Sequence, residues 1–530
     1  MMTIRQMLTQ EANRRSFLQR AGRLAAAGLF GKDALGHFPS GLTPKVNAAK
    51  RVVELDLDLQ NIHKWDDSNG DTWDPFWADD DCLYAFNCDG RGFGKTPQNL
   101  AFNRFDGESI AMLNGTQINP MTEYGPAGQH GKDNAAWKAC GQECIDGVFY
   151  AFVSRNVYGS ESKDLLMRQT AFNSSLIKSL DRGHTWSRPA GANYAKPMWE
   201  GPRFGAPFFV HYGKNEGNVG QDGAMDFVYA VSTNGFWNDG DTLTLGRVSR
   251  KLLPKLNAAD WEYFTGGDGA DSKNWSAKVD SAAPLLKAPA RCGQTPICYV
   301  PPLGIYLLIS WYNPETLTRW FEPKEMRYDF YQAEHPWGPW SLIRSISDKF
   351  LASGSHMYGP ALCAKFQEQK GSEVRIFMFT SGCPFEDVPA AIYKAWTIPV
   401  VLRTEGLPPH EELTLDSPRI EWGGNWAKLP DPKHGDSQVR VSTKRGDTLT
   451  VTFKGTGVAC LAQKSEGFGE AEVFLDGKSQ GKVNLALRNF PALSGVCVFQ
   501  TNGLPNETHT LKLVNAGTGP VGVEKLKIYS

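Results

Sequence analysis

The stretch Phe149-Tyr150-Ala151-Phe152-Val153-Ser154 is decisive for the fold, because it recurs in altered form along most of the chain. It is a short run of aromatic and β-branched residues that ends abruptly at a small polar residue. Similar stretches occupy residues 83–87, 228–232, 305–310 and 376–381. With Tyr84, Tyr150, Tyr229, Tyr306 and Phe377 as markers, the steps between copies are 66, 79, 77 and 71 residues. Five buried strands repeated at this interval predict a five-bladed β-propeller.

The segments around each marker strand fit this prediction. A segment rich in Gly and Pro precedes each marker and is predicted to be the innermost strand, at residues 71–75, 140–143, 204–207, 293–296 and 358–360. Four of these segments contain proline, which cannot donate to a ladder and therefore suits a strand with a free edge. Third strands are predicted at residues 100–106, 175–179, 243–247, 326–331 and 393–396.

A second unit follows the predicted propeller, which spans residues 50–405. After a linker at 406–418, residues 419–530 alternate cleanly between apolar and polar positions, which predicts an antiparallel β-sandwich. Its strands are predicted at 438–442, 448–453, 470–476, 509–514 and 523–529. The unit resembles the galactose-binding-like jelly rolls that accompany secreted carbohydrate enzymes, and this resemblance implies a carbohydrate-binding-like module.

Composition places the chain among soluble globular proteins. Of its 530 residues, 41% are hydrophobic and 21% are charged. The apolar stretch at residues 21–30 is too short to span a bilayer, and no later segment qualifies. The formal net charge is −1, and it becomes −5 without residues 1–36. We therefore expect neither nucleic acid nor an anionic membrane as a partner.

The N-terminus has the pattern of an export signal. Asn13-Arg-Arg-Ser-Phe-Leu18 resembles the twin-arginine family, and an apolar stretch and a small-residue site at residues 34–36 follow it. The resemblance implies export to the periplasm or the exterior. All ten cysteines lie beyond this segment, where both disulfides and buried free thiols stay open.

The densest constellation of chemically active side chains lies in the first predicted blade. Asp71 and Asp74 begin its innermost strand, and Asp89 ends the neighbouring marker strand. Glu143 stands in the second innermost strand, where the other blades carry proline. Two carboxyl groups meeting at a funnel floor suit cleavage of a glycosidic bond, because one protonates the departing oxygen and the other activates water or attacks the sugar. We expect Asp71 and Asp89 to be the catalytic pair, with Asp74 and Glu143 as the next candidates.

These motifs resemble the five-bladed propeller glycoside hydrolases of the arabinanase and furanosidase kind, and most closely the propeller endo-D-arabinanases. In those families an aspartate on the first innermost strand is essential. The resemblance implies catalytic roles for Asp71 and Asp89 and a polysaccharide or oligosaccharide substrate. A later blade supplies a glutamate acid in that pattern, and neither Glu143 nor Glu200 matches it clearly.

Further residues are candidates for substrate binding. Arginine suits a substrate carboxylate or a catalytic aspartate, aromatic residues suit sugar stacking, and histidines at the funnel entry could carry a proton. The candidates are Glu200, Arg203, Arg291, Trp311, Tyr312, Tyr358, His63 and His356. Residues 179–186 match the SxDxGxTW Asp-box, which predicts a structural hairpin.

Two other functions stay open, together with one metal site. A polysaccharide lyase would use His63 or His356 as its base and an arginine on a uronate, and a non-catalytic protein would only bind glycans. No CxxC or HExxH motif occurs, so no zinc site and no cofactor is expected. An irregular calcium site at Asp67, Asn69 and Asp71 stays open.

Overall fold

The structure, a computed structural model, describes most of the chain beyond the predicted signal. The described residues are 51–158, 168–188, 196–217, 226–314, 325–351, 356–370, 372–382, 393–404, 410–430, 438–465, 467–486 and 493–529. In these ranges the fold is all-β, as predicted, and no α-helix occurs. Short 3₁₀ turns lie at Leu59–Asn61, Ile110–Met112, Thr122–Tyr124, Lys214–Glu216, Leu253–Lys255, Ala258–Asp260, Ser272–Asn274 and Val279–Ser281. Among the described residues, none of the helical turns is long and apolar enough to cross a membrane.

Five antiparallel sheets follow one another along residues 52–404. Strands β1 (Val52–Leu57) and β2 (His63–Lys64) come first but belong to the fifth sheet. The first sheet contains β3 (Asn69–Asp71), β4 (Phe76–Trp77), β5 (Leu83–Gly92), β6 (Gln98–Asp106) and β7 (Asn114–Asn119). The second contains β8 (Ala136–Ile145), β9 (Val148–Val157) and β10 (Thr170–Ser179).

The third and fourth sheets are joined edge to edge. The third contains β11 (Pro207–His211), β12 (Phe227–Thr233), β13 (Gly240–Ser249), β14 (Trp261–Phe264), β15 (Trp275–Ser276) and β16 (Leu286–Cys292). The fourth contains β17 (Ile297–Val300), β18 (Ile305–Tyr312), β19 (Arg327–Ala333) and β20 (Ser341–Ser347). They meet where β11 runs parallel to β17, with Val210 opposite Ile297.

The fifth sheet combines strands from both ends of this region. It contains β21 (Met357–Lys370), β22 (Glu373–Gly382) and β23 (Trp396–Thr404), and β1 and β2 both pair with β23. One strand of each of the five sheets takes part in a cycle of contacts: β4 contacts β8, β8 contacts β11, β11 pairs with β17, β17 contacts β21 and β21 contacts β4.

The five marker strands are confirmed as β5, β9, β12, β18 and β22. They read as continuous apolar runs because both faces are covered, and all eight residues of β18 are buried. Three of the four predicted prolines stand at strand starts: Pro207 opens β11, and Pro75 and Pro296 immediately precede β4 and β17. The fourth, Pro360, lies inside β21 as its fourth residue. One predicted third strand is displaced, since β23 begins only at Trp396, the last residue of the predicted segment 393–396.

The C-terminal residues form a nine-stranded antiparallel sheet with its own core. Its strands are β24 (His410–Leu413), β25 (Ile420–Gly423), β26 (Trp426–Pro430), β27 (Gln438–Ser442), β28 (Thr448–Lys464), β29 (Glu470–Leu475), β30 (Lys478–Asn484), β31 (Leu493–Asn515) and β32 (Val521–Tyr529). All five predicted strands lie within these elements. Because β24 pairs with β32, the sheet begins inside the segment that the sequence predicts as a linker.

Eight cysteines of the described residues are buried: Cys82, Cys88, Cys140, Cys144, Cys292, Cys298, Cys363 and Cys460. The first seven of these are free thiols. Cys383 and the side chain of Cys497 lie outside the residues that the structure describes. Of the two alternatives left open by the sequence, these seven residues follow the buried-thiol one.

Candidate functional site

Two of the predicted aspartates lie side by side in the first sheet. Asp71 ends β3 and pairs with Cys88 of β5, so that Asp89 is the next residue on the neighbouring strand. The Asp71 carboxyl is buried, with 3% of the residue exposed, whereas a fifth (20%) of the Asp89 side chain remains exposed. Thr72 and Asp89 adopt left-handed backbone conformations, with φ of 54° and 48°. Such strain in non-glycine residues is concentrated at functional sites.

A buried lysine from the second sheet reaches this pair. Lys138 on β8 forms an ion pair with Asp89 Oδ2, and its Nζ lies 5.0 Å from the centre of the Tyr158 ring. The Tyr158 hydroxyl donates a hydrogen bond to the same Asp89 oxygen at 3.1 Å. Asp89 Oδ1 is buried and has no hydrogen-bond partner among the described residues. Asp89 is thus fixed through Oδ2, and its buried Oδ1 is the one carboxylate oxygen of the Asp71–Asp89 pair without a hydrogen bond among the described residues.

A tyrosine from the far end of the region completes the cluster. The hydroxyl of Tyr393, just before β23, donates to Asp71 Oδ2 at 3.0 Å and also lies 3.3 Å from the Asp89 carbonyl oxygen. Thr72 Oγ1 donates to Asp71 Oδ1 at 3.3 Å. We call Asp71, Asp89, Lys138, Tyr158 and Tyr393 the aspartate–lysine cluster.

Two groups of the cluster, Asp71 and Lys138, have strongly shifted pKa values. Burial raises the pKa of Asp71 to about 7; the Lys138 ammonium opposes this rise and the Asp89 carboxylate adds to it. Burial alone would lower the pKa of Lys138, but the carboxylate of Asp89 holds it well above its ordinary value. Near neutral pH the cluster therefore contains a carboxyl group that is about half protonated, Asp71, beside a second carboxyl, Asp89, that is ion-paired with Lys138. Such a division of protonation states separates an acid from a base in many hydrolases.

The structure separates Asp74 and Glu143 from this cluster. Both bind His211, the last residue of β11: Glu143 Oε2 lies 2.5 Å from His211 Nδ1, and Asp74 Oδ1 lies 3.0 Å from His211 Nε2. All three side chains are buried, as is Glu216. The two flanking carboxylates raise the pKa of His211 well above its ordinary value although burial opposes them. Asp74 and Glu143 thus belong to a second cluster that joins three sheets, which we call the histidine cluster.

Three predicted binding residues are buried by neighbouring side chains. The rings of Trp311 and Tyr358 meet edge to face with centroids 5.1 Å apart, and the Tyr358 hydroxyl accepts a hydrogen bond from Trp237 Nε1 at 3.0 Å. Tyr312 lies under the Arg291 guanidinium, 5.3 Å from it. Trp311, Tyr312 and Tyr358 are each at most 5% exposed. They are not open platforms for a sugar ring in this conformation.

The remaining predicted residues contact other groups. Glu200 and Arg203 are exposed, and Arg203 forms an ion pair with Asp280. The His63 ring packs edge-on against Trp65, with centroids 4.6 Å apart. His356 Nδ1 lies 3.1 Å from Asp348 Oδ2, and Asp348 Oδ2 also accepts from the backbone of Met357.

The residues considered for calcium already have partners. Asn69 Oδ1 accepts a hydrogen bond from the Arg91 backbone at 3.2 Å, and the Asp71 oxygens accept from Thr72 and Tyr393. In the described part of the chain, no group of three or more His, Cys, Asp or Glu side chains is arranged to hold a metal ion.

Sequence reasoning missed Lys138, Tyr158, Tyr393 and His211. Lys138 precedes the predicted second innermost strand by two residues, so the strand start was placed too late. His211 ends the apolar run Phe208-Phe209-Val210, and a polar residue at that position was a usable signal. Tyr393 gave no signal, because it is 322 residues from its partner Asp71.

Comparison with known proteins gives short or distant similarities. No family model matches the chain. An A type blood alpha-D-galactosamine galactosaminidase from Flavonifractor plautii is 32% identical over 107 residues, which are 20% of this chain and 10% of that protein. An A type blood N-acetyl-alpha-D-galactosamine deacetylase from the same organism is 30% identical over 91 residues, 17% of this chain and 11% of that protein. The chain thus spans about a tenth of the length of each of these relatives.

Solved structures show a wider but weaker likeness. An exo-beta-1,3-galactanase from Phanerochaete chrysosporium, crystallised with galactose, aligns over 87% of this chain and 96% of its own, with 11% identity and a TM-score of 0.31. A family two carbohydrate esterase from Cellvibrio japonicus aligns over 23% of this chain and 34% of its own, with 15% identity and a TM-score of 0.18.

Proposed function

We propose that the protein is a carbohydrate-active hydrolase that cleaves glycosidic bonds at the aspartate–lysine cluster. The observation that carries the proposal is that the buried Asp71 carboxyl has a raised pKa, while the neighbouring Asp89 forms an ion pair with Lys138. A buried carboxyl with a pKa of about 7 retains a proton to give, while the carboxylate beside it is compensated by Lys138. Both curated relatives are named for action on galactosamine-containing glycans, which supports a carbohydrate substrate.

The proposed reaction uses the two carboxyl groups in separate roles. Asp71 donates its proton to the glycosidic oxygen as the bond to the sugar carbon breaks. Asp89 Oδ1 takes a proton from the attacking water, or attacks the sugar carbon itself, according to the separation of the two carboxyl groups across the bound sugar. Lys138 and Tyr158 orient Asp89 through its other oxygen. If Asp89 acts as the base, the hydroxyl of the water goes to the sugar, and the proton taken up by Asp89 returns to Asp71 through solvent. If Asp89 attacks the sugar, a second step hydrolyses the sugar–Asp89 ester: the hydroxyl of the water goes to the sugar, its proton goes to Asp71, and Asp89 is released as the carboxylate.

We propose further that the five sheets are the blades of a five-bladed β-propeller and that the C-terminal sheet is a β-sandwich. The cyclic contacts of β4, β8, β11, β17 and β21 support the first part. Pairing of β1 with β23 supports it too, because an N-terminal strand then completes the last blade. The separate hydrophobic core of residues 413–528 supports the second part. Export by the twin-arginine route, with residues 1–36 removed, belongs to the same proposal and depends on the sequence pattern alone.

The test is an activity screen with substitutions of the pair. The purified protein is incubated with plant, algal and bacterial polysaccharides and with glycans ending in α-linked N-acetylgalactosamine. New reducing ends, near-ultraviolet absorbance and released acetate are followed together. We expect new reducing ends alone, and their loss by at least about 100-fold in Asp71→Asn and Asp89→Asn. Asp329→Asn is the matched control, because Asp329 is also buried but accepts a hydrogen bond from Tyr312 outside the cluster.

Other outcomes would contradict the proposal in distinct ways. Absorbance from a new double bond would identify a lyase, and acetate without reducing ends would identify a deacetylase. Glycan binding without any product would favour a non-catalytic protein. Full activity in both Asp71→Asn and Asp89→Asn would exclude the pair while leaving a hydrolase.

A further inference from the structure

We propose that a groove on the first sheet is a distal subsite that binds a saccharide unit of the glycan cleaved at the aspartate–lysine cluster. This inference rests on the proposed function for the identity of the glycan. The groove lies between the turn that joins β5 to β6 and the outer strand β7. Its volume is about 550 Å³, within the range of roughly 300–1,000 Å³ that is usual for small-molecule sites.

The polar groups of the groove suit a neutral, polyhydroxylated ligand. Its lining includes Phe93, Lys95, Thr96, Thr116, Gln117 and Thr122. Threonine hydroxyls both donate and accept, the amide of Gln117 does the same, and the Lys95 ammonium donates. The described lining residues include no carboxylate, so the groove offers no anionic group to a cation. A saccharide fits this inventory better than a cation or a purely apolar ligand.

The floor of the groove is fixed before any ligand arrives. The Phe93 ring packs on Phe105 and Trp73, with centroids 5.2 and 5.8 Å away. Gln117 Nε2 donates to the Arg91 carbonyl at 2.8 Å, which orients the amide. An aromatic ring beside an oriented amide combines an apolar surface with a hydrogen-bonding group, as sugar faces and edges require.

Gly94 and Gly115 leave room for the side chains that form the floor of the groove. A Cβ on Gly115 would lie 2.0 Å from the Phe93 ring, and a Cβ on Gly94 would lie 2.1 Å from Gln117 Oε1. Neither glycine has a positive φ, so the backbone conformation alone does not require them. They allow Phe93 and Gln117 to lie flat against the backbone, which leaves the volume above them open.

The groove and the aspartate–lysine cluster share one segment of chain. Phe93 follows Asp89 by four residues, at most about 13 Å along the chain, and the positive φ of Asp89 and Gly92 shortens this span. Trp73, against which Phe93 packs, follows Asp71 by two residues. Between the two sites, Arg91 Nη1 donates to the Gly94 carbonyl at 2.8 Å and holds the turn. A glycan bound at Asp89 and extending along this segment would place a later sugar in the groove.

The test measures how affinity depends on glycan length in the Asp71→Asn variant, which we expect not to cleave the glycan. Asp71→Asn protein is titrated by calorimetry with a ladder from disaccharide to hexasaccharide. The ladder is prepared from the glycan that the activity screen identifies, or from the N-acetylgalactosamine-terminated A type glycan if no cleavage is found. We expect the affinity of the Asp71→Asn protein to rise with glycan length. Adding Lys95→Ala and Thr116→Val to this protein should lower its affinity for the longer glycans at least about fivefold. The matched control is Lys251→Ala, which replaces another exposed lysine outside the groove.

The outcomes separate this inference from the proposed function. A length-dependent gain that survives in Lys95→Ala/Thr116→Val would overturn the subsite even if the enzyme is active. An equal loss for every length would also overturn it, since the residues would then act at the cleavage point. A loss confined to the longer glycans supports the subsite, even where the wild-type protein releases no product and the hydrolase proposal fails.

Discussion

Lys138 supplies the positive charge of the aspartate–lysine cluster. Its ammonium contacts Asp89 and lowers the pKa of Asp71, so the buried Asp71 carboxyl is more acidic than it would be without Lys138. Removing a buried partner leaves the other charge uncompensated, which costs far more than losing an exposed ion pair. The proposed acid and base therefore depend on a residue that takes no part in bond making.

We predict that Lys138→Met lowers kcat/KM by at least about 100-fold and moves the pH profile upward. Without the positive charge the pKa of Asp71 rises. The alkaline limb of the pH profile, along which Asp71 loses its proton, therefore shifts to higher pH. The pH dependence of kcat/KM measures this shift, because it reports the groups of the free enzyme.

Lys365→Met is the matched control for this prediction. Lys365 is also buried, but its Nζ donates to the Asp81 carbonyl, outside the cluster. A loss of activity in Lys138→Met without movement of the alkaline limb would mean that the lysine only supports the fold.

The proximity of Asp71 and Asp89 was predictable from the sequence, but the residues that contact them were not. Asp71 and Asp89 stand next to recognisable strands, and the pairing of β3 with β5 is local, so their proximity followed from the pattern. Tyr393 lies 322 residues along the chain from Asp71, and no local pattern encodes a contact over that separation. Asp74 lies apart from Asp71 and contacts His211, a contact between sheets that the sequence pattern did not indicate.

At the level of elements, β1 is attached by more than its ladder with β23. The Gln332 side chain on β19 accepts from the Val52 N–H and donates to the Val52 carbonyl, both at 2.9 Å. Its amide thus imitates the edge of another strand and ties β1 to the fourth sheet. A buried amide that pairs both backbone groups of one residue replaces two ladder hydrogen bonds.

We predict that Gln332→Met destabilises the protein by about 1–3 kcal/mol, because Val52 keeps a buried donor and acceptor without partners. Urea unfolding followed by tryptophan fluorescence measures the change. Gln60→Met, at an exposed position, is the control and is expected to leave the midpoint unchanged. An unchanged midpoint in Gln332→Met would show that β23 alone holds β1.

The strands were predicted well where burial made them distinctive and less well where long-range contacts decide. All eight residues of β18 are buried, so its apolar run was unambiguous. Residues 393–395 were predicted as strand from their composition. Instead, the Tyr393 and Ala395 carbonyls accept hydrogen bonds from Gly70 and Trp65, which delays the start of β23 to Trp396. The contacts of another sheet override the local propensity there.

At the scale of the whole molecule, several buried groups favour the protonated state. Burial raises the pKa of Asp71 and of Asp239 to about 7, and burial together with the charge of Glu143 raises that of Glu216. The carboxylates around His211 raise its pKa well above the ordinary value. Folding therefore takes up protons at these positions.

The sign of the pH dependence follows from these shifts. A carboxyl whose pKa is raised on folding contributes its full stability below the unfolded value, about 4, and loses it as pH rises through the folded value. A histidine with a raised pKa contributes fully below about 6.5 and loses its contribution above the folded value. All four groups act in the same direction, at about 1.4 kcal/mol for each unit of pKa difference.

We predict that the melting temperature falls by several degrees between about pH 5 and about pH 8, measured by scanning calorimetry in buffers of low ionisation enthalpy. Glu216→Gln should make this fall shallower, since Glu216 Oε1 is buried without a hydrogen-bond partner in the described residues and the glutamine cannot ionise. Glu262→Gln is the control, because Glu262 is partly exposed and paired with Arg247. A melting temperature that is constant or rises over this range would mean that these buried groups ionise in the folded protein without cost, and that their charges are balanced more completely than the contacts of Asp71 and His211 indicate.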